Sequence, residues 1–217
     1  MPYELEIKLA LPVRLAPRLR RLPLLVGARE RKRCLRNLYL DTPEQDLRRR
    51  GMALRRRAVE DSVYLTLKTE GECVNGLSRR QEWEYPCPPD TLDFSRIDDL
   101  RTRRLLQRLA PRLSPLFRMD FIRQSWDLPQ GDSRVELALD LGYIRAGGRR
   151  APIREVELEL LAGREADILS LAKTLAEALP LYPFSPSKAA RGYALLAAAY
   201  REANEARAAH ALKSGLS

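Results

Sequence analysis

The chain has one histidine in 217 residues, His210, set in an alanine-rich stretch near the C-terminus. A Ser-His or Cys-His nucleophilic pair would have to recruit it from there, so that chemistry is not expected. Its three cysteines, Cys34, Cys73 and Cys87, are odd in number and far apart, with no C-x-x-C spacing. They imply neither a disulfide framework nor a zinc site, and they fit a reducing, cytoplasmic compartment. No G-x-x-x-x-G-K-[ST] loop and no G-x-G-x-x-G turn occurs, so any bound phosphate must be held by side chains rather than by a glycine-rich backbone cradle. No apolar run approaches the ~20 residues that span a bilayer, and no signal-peptide core opens the chain, so a soluble protein without a membrane partner is expected.

Charge is what the chain has in excess. Lys and Arg total 39 against 29 Asp and Glu, a formal net charge of +10. That excess points to a polyanionic partner: nucleic acid, an acidic membrane or a small polyphosphate. Apolar residues make up 45% and charged residues 31%, which suits one sizeable globular domain.

The charges alternate with apolar residues, strand after strand. In YELEIKLA, Glu4, Glu6 and Lys8 fall on one face of a strand, with Tyr3, Leu5, Ile7 and Leu9 on the other. Like charges at i and i+2 sit about 7 Å apart and repel by roughly 2 kcal/mol at an effective dielectric near 20. A recessed site must therefore supply a cation. RNLYLD alternates Asn37, Tyr39 and Asp41 with leucines, ALRRRAV aligns Arg55 and Arg57, and VYLTLKT aligns Tyr64, Thr66 and Lys68. SRRQEWEY aligns Arg80, Glu82 and Glu84, RVELALDL aligns Glu136 and Asp140, and REVELELL aligns Glu155, Glu157 and Glu159. In LFRMDFIRQSWDL the apolar phase changes near Phe121–Ile122, which predicts a bulge there, with Arg123 on the polar face.

Helical spacing predicts a short or kinked helix in VRLAPRLRRL, limited by Pro17, a second over 97–109 closed by Pro111, a third in EADILSLAKTLAEAL ended by Pro180, and a last one from about Pro186 or Ser187. DTPEQ, GECVNG, LPQGDS and AGG mark turns. One domain over residues 1–200, with 201–217 as a helical tail or the start of a linker, is the expected organisation.

A sandwich with its ionic faces in solvent is the bland interpretation. Two features favour another. Signs are sorted by strand, with acids at 4/6, 136/140 and 155/157/159 and bases at 55/57, 68 and 123. The apolar faces also alternate with helices able to cover them from outside, which would turn the ionic faces inward to line a closed or nearly closed barrel. Such a lumen suits a ligand that joins both signs. A divalent cation on a polyphosphate does so, with Asp and Glu oxygens favouring Mg²⁺ or Mn²⁺ and Arg and Lys holding phosphate oxygens.

E-x-E-x-K in the first strand, then L-R-x-R, L-x-L-K and a late E-x-E strand followed by a lysine before the final helix, resemble the CYTH superfamily, the triphosphate tunnel metalloenzymes. The resemblance runs from Tyr3 to about Tyr200, and SRVELALDLGYIRAG, REVELELLAG and SKAARGY are most similar to the bacterial inorganic triphosphatases. It implies an α+β fold: a closed eight-stranded antiparallel β-barrel tunnel with helices packed outside. The implied activity is metal-dependent hydrolysis of inorganic tripolyphosphate to pyrophosphate and phosphate. Thiamine triphosphate, nucleoside triphosphates, RNA ends and cyclic AMP formation are the family's alternatives. The implied metal ligands are Glu4, Glu6, Asp140, Glu157 and Glu159, with Glu82 a further acidic position for which Glu84 competes. The implied phosphate ligands are Lys8, Arg55, Arg57, Lys68, Arg123 and Lys188, to which Arg80 and Arg191 are added. Glu4, Glu6, Arg57, Lys68 and Lys188 are the implied catalytic set, with Lys68 or Lys188 stabilising the leaving oxyanion. In that group the tunnel often precedes a histidine-rich helical domain, and this chain ends at Ser217 with its single histidine.

A nucleic-acid binder is the first rival, on the net charge and the run RRRGMALRRR at 48–57. Acids alternate into the same faces, so a stable nucleic-acid partner is not expected, and Arg48–Arg50 reads as a solvated turn. A non-catalytic polyphosphate-binding module is the second rival, and it needs the basic rows but not the acidic ones. Trp83 and Trp126 are expected in the core or on the barrel exterior. Glu155 is expected at a solvated tunnel mouth, and Arg118 has no assigned role. A homodimer is a further possibility.

Overall fold

The computed structural model describes residues 3–214, with side chains through residue 207. Strand β1 spans Tyr3–Ala10, and the short helix α1, Ala16–Leu19, follows a 3-10 turn, with Pro17 in its first turn. Strands β2 (Glu30–Asp41), β3 (Met52–Val59), β4 (Ser62–Thr69), β5 (Glu72–Val74) and β6 (Leu77–Pro86) lead to helix α2, Leu100–Leu109. The Asp99 side chain accepts a hydrogen bond from Thr102 N–H at 2.7 Å and so sets the start of α2 three residues beyond the predicted one. Three long strands, β7 (Ser114–Gln130), β8 (Ser133–Ala146) and β9 (Arg149–Ala162), precede α3 (Glu165–Ala178), β10 (Tyr182–Pro183) and α4 (Lys188–Ser214). Helix α4 runs through residue 200 without a break, so the expected tail is its continuation; residues 215–217 lie outside the described residues, as does the side chain of His210. Among the described residues no helix is long and apolar enough to cross a membrane.

Eight antiparallel strands close into a barrel in the order β1-β9-β8-β7-β2-β3-β4-β6. Closure is made by β1, which pairs with β9 over Glu6–Ala10 and with β6 over Tyr3–Ile7. Where β6 leaves β1, β10 takes over its edge at Leu9 and Ala10, and β5 extends the other side of β6 within the predicted GECVNG turn. The predicted AGG turn is a two-residue hairpin with Gly147 at φ 53° and Gly148 at φ 77°, the two positive angles that a type I′ turn requires.

Three apolar layers orient the faces. Outside, Ile7, Leu9, Trp126, Leu137, Leu139, Val156 and Leu158 pack under α1 and α3. On the opposite outer side, Leu54, Leu65, Leu67 and Trp83 pack under α2, where Trp83 Nε1 donates to Asp98 at 2.7 Å. Each buried leucine contributes roughly 2 kcal/mol, so these layers fix which face of every strand turns outward. The third layer lies on the inner face: Tyr39, Phe117, Met119, Phe121, Ile144 and Ile153 meet Tyr193 and Leu196 of α4.

That inner layer corrects the expected bulge. The pairing of β7 with β8 runs without a shift from Arg118 to Gln130, and the irregularity lies nearer the start of β7, whose pairing with β2 skips Leu116 between Tyr39↔Phe117 and Leu40↔Pro115. Phe117, Met119, Phe121 and Arg123 all point inward, whereas Trp126 and Leu128 point outward. The apolar phase changes because a different face is covered at each end of β7, by α4 inside and by α1 outside. Gly192 permits the inner contact, since a Cβ there would lie 2.2 Å from the Phe117 ring.

Candidate active site

Seven of the eight barrel strands line a cavity of about 670 Å³; β8 stands behind its wall. Eleven residues expected from sequence line it: Glu4, Lys8, Arg55, Arg57, Lys68, Arg80, Glu82, Arg123, Glu157, Glu159 and Lys188. Glu6, Asp140 and Arg191 lie behind that wall. Glu6 is buried against Lys8 at 3.0 Å and Arg80, Asp140 is buried against Arg123 at 2.7 Å, and Arg191 reaches Glu155 at 2.7 Å. Sequence reasoning left open Glu84 and Tyr39, and both line the cavity. It did not anticipate the 185–187 loop that enters α4, nor Tyr193.

Register places acid beside base. Glu4 lies opposite Arg80, Lys8 opposite Glu157, Lys68 opposite Glu82 and Arg123 opposite Asp140. Lys68 Nζ donates to both Glu4 oxygens at 2.8 Å and lies 2.9 Å from Glu82. Arg80 Nε donates to Glu4 at 2.8 Å. Glu84 accepts from Thr66 at 2.7 Å and pairs with Arg57 at 3.3 Å and Arg55 at 3.4 Å. The rows therefore do not stand apart awaiting a ligand, as the sorting of signs by strand had suggested. The Glu4–Glu6 repulsion is offset by Lys8, Lys68 and Arg80 across the barrel.

The eight carboxylates Glu4, Glu6, Glu82, Glu84, Asp140, Glu155, Glu157 and Glu159 meet eight cationic groups, Lys8, Arg55, Arg57, Lys68, Arg80, Arg123, Lys188 and Arg191. The tunnel is charge-balanced, so the +10 excess resides elsewhere on the molecule.

One acidic cluster is tight. Oxygens of Asp140, Glu155 and Glu157 lie within 4.8 Å of one another. Glu155 is fully buried, which corrects its expected place at a solvated mouth, because β9 turns it inward beneath α4. Lys188, the first residue of α4, extends its ammonium among all three, 2.7 Å from Asp140, 2.8 Å from Glu157 and in contact with Glu155. Burial acts to lower the Lys188 pKa, but the three carboxylates outweigh it and hold the pKa above its ordinary value. A cation placed in this cluster would compete with Lys188.

The balance fails locally at two other points. Burial and the neighbouring Arg55 and Arg123 push the Arg57 pKa down to about 10, only partly offset by Glu84. Burial and the nearby Glu4 and Glu82 carboxylates push Glu159 up to about 7, and among the described residues no hydrogen bond or ion pair reaches it. Glu4, Glu82 and Glu159 thus bring three hard oxygen donors to one cavity, the type that suits Mg²⁺ or Mn²⁺, although Lys68 holds the first two and, among the described residues, only Asp140, Glu155 and Glu157 are gathered within 4.8 Å.

A raised carboxyl pKa stabilises the fold below the unfolded value near 4.5, and that contribution is lost as pH rises toward 7. Glu159→Gln is accordingly expected to gain on the order of 2 kcal/mol of stability at pH 8 in the metal-free protein and little at pH 4. Urea melts at the two pH values check this; an equal gain at both would remove the charge as the cause.

Comparison with known proteins agrees with this geometry. The CYTH domain family model matches residues 2–193. An inorganic triphosphatase of Haemophilus influenzae is 36% identical over 162 residues, 74% of this chain and 46% of that protein. The chain thus spans about half the length of this curated relative. Among solved structures, HpAC1 of Hippeastrum, with a dominant triphosphatase activity, superposes with a TM-score of 0.62 at 20% identity, covering 88% of this chain and 95% of that one. PH1819 of Pyrococcus horikoshii gives 0.52 at 18% identity, over 89% and 97%. At those identities the structures speak for the fold. With the family model spanning nearly the whole tunnel, the chain belongs to the CYTH domain family.

Proposed function

We propose that the tunnel hydrolyses inorganic tripolyphosphate to pyrophosphate and orthophosphate in the presence of Mg²⁺ or Mn²⁺. The observation that carries this reading is the pair of opposite imbalances in one cavity: the crowded Arg55, Arg57 and Arg123 on one side, and the unpaired Glu159 beside Glu4 and Glu82 on the other. A metal-bound polyphosphate relieves both at once. The inorganic triphosphatase named above, 36% identical over its matched part, supports the same substrate.

Glu4, Glu82 and Glu159 would hold the cation, which when bound neutralises phosphate charge and lowers the pKa of a coordinated water. Arg55 and Arg57, adjacent on one face of β3, with Arg123 facing the same cavity from β7, present guanidinium forks to phosphate oxygens. Water attacks the terminal phosphorus, its new P–O bond replacing the anhydride P–O bond, and pyrophosphate leaves with the released negative charge. Lys68 or Lys188 stands to stabilise that oxyanion. The proton lost by the attacking water passes to solvent or to the orthophosphate formed; Glu159, as a cation ligand, is not its acceptor. Their carboxylates hold the inner cations in place around the cavity until a phosphate competes for them.

Phosphate release from tripolyphosphate is expected to require Mg²⁺ or Mn²⁺ and to fall by about two orders of magnitude or more on addition of EDTA. A panel of tripolyphosphate, thiamine triphosphate and ATP under each metal tests the substrate. Hydrolysis indifferent to chelator, or release from none of the three, would overturn the proposal.

A further inference from the structure

The arginine run Arg48–Arg50 forms a 3-10 turn, but only its first member serves the tunnel. Arg49 and Arg50 turn to Asp46, at 2.9 and 3.1 Å. All three are exposed on that turn, as expected, and Arg48 in addition lines the cavity. Its backbone N–H donates to Asp41 at 3.0 Å, and the same Asp41 accepts from the Tyr193 hydroxyl at 2.7 Å. The guanidinium lies 5.0 Å from the Tyr193 ring centroid and donates to Gln45 at 2.7 Å. Asp41 thereby ties the loop bearing Arg48 to the helix bearing Lys188.

Among the described lining residues, Arg48 is the one cation without a carboxylate ion pair. Lys8, Arg55, Arg57, Lys68, Arg80, Arg123 and Lys188 each have one. A substrate phosphate that meets an inner cation must compete with that cation's carboxylate. One that meets Arg48 displaces only a neutral amide and water. Arg48 is also exposed, so it sits where the cavity opens to solvent, beside the Tyr193 ring. Glu70 shares this rim and makes no ion pair with it.

We propose that Arg48 is a specificity-determining residue that selects an unesterified phosphate at the open end of the tunnel, favouring linear inorganic polyphosphates over nucleoside and other esterified triphosphates. This rests on the triphosphatase reading above. A free terminal phosphate carries close to two negative charges near neutral pH, whereas an esterified phosphate within an anhydride chain carries one. An unneutralised cation at the rim therefore favours the free end by electrostatics. The organic group of an ester must pass the same rim and gains no charge contact from it.

The test compares kcat/KM for tripolyphosphate and ATP, with one divalent metal, in the wild type, Arg48→Ala, Arg48→Lys and the neighbouring control Arg49→Ala. Arg48→Ala is expected to lower kcat/KM for tripolyphosphate roughly ten- to thirtyfold, mainly through KM, and to leave ATP within about threefold. Arg48→Lys should restore most of the preference, and Arg49→Ala should leave both substrates unchanged. Equal losses on both substrates would assign Arg48 a structural role on Tyr193, and no change would leave it without a role; either result overturns the proposal. If the wild type hydrolyses neither compound, the triphosphatase reading fails, and calorimetric binding of tripolyphosphate decides Arg48 by itself. Weaker binding in Arg48→Ala than in wild type sustains it, and equal or absent binding in both ends it.

Discussion

Lys188→Ala is expected to lose about 3–5 kcal/mol of folding stability, the usual result of removing one partner from a buried ionic network. Asp140, Glu155 and Glu157 would then share only Arg123, Arg191 and the more distant Lys8, with their oxygens still within 4.8 Å of one another. The pH dependence follows from the directions of the shifts. Burial acts to raise the Asp140 and Glu157 pKa values, but Arg123 and Lys188 outweigh it and hold both below the ordinary range. Stability from such carboxylates is present above their unfolded pKa near 4 and is lost as pH falls through the folded value. Lys188 itself is raised, so its contribution is full below its unfolded value near 10.5 and constant across neutral pH. The variant's deficit should therefore be largest at pH 7 and shrink in acid, where protonation replaces the missing ammonium. Glu155→Gln in the same chain should recover part of it. Chemical denaturation at pH 7 and pH 4 measures both effects, and a loss below about 1 kcal/mol at pH 7 would mean that the cluster does not depend on Lys188.

Arg57→Ala is expected to act in the opposite sense, with a loss of two to four orders of magnitude in kcat/KM on tripolyphosphate and a nearly unchanged melting temperature. Arg57 is held by Asn37 at 2.9 Å and Glu84 at 3.3 Å, while burial beside Arg55 and Arg123 weakens its charged form. Removing it relieves a like-charge cluster, and Glu84 keeps both Thr66 and Arg55. Glu84, whose pKa burial would raise, is held near 2 chiefly by Arg57 and Arg55, so it should titrate somewhat higher in the variant. Calorimetry alongside phosphate release separates the two quantities. A large drop in melting temperature accompanying the lost rate would make Arg57 a structural residue.

The alternation in YELEIKLA, SRRQEWEY and REVELELL was sufficient to put Glu4, Glu82, Glu157 and Glu159 on polar strand faces, because the two-residue period of a strand leaves no freedom within it. It did not place Glu155, which has the same parity as Glu157 and Glu159 but lies beneath α4 and is fully buried. Position along a strand decides which residues a plugging helix covers, and local spacing carries no record of that helix. Arg48 escaped for a related reason. Its direction is set by a backbone hydrogen bond to Asp41 and by the ring of Tyr193, 145 residues further along the chain. Phe121 looked like a slipped strand because one face of β7 is covered outside and the other inside, and a single-face rule reads that exchange as a bulge.

By itself the sequence determined strands with one apolar and one ionic face, through local spacing, and a resemblance to the family, through the order of short motifs along the chain. The eight-stranded barrel was what that resemblance implied. Only the tertiary structure decided which charge meets which. Cross-strand register and the insertion of α4 set those pairings, and Coulomb energies between buried groups depend on distances of a few ångströms. The chain supplies eight acids and eight bases to the inner tunnel, with Arg48 and Glu70 added at its rim, and among the described residues folding leaves Glu159 on the wall, and Arg48 and Glu70 at the rim, without an ion pair.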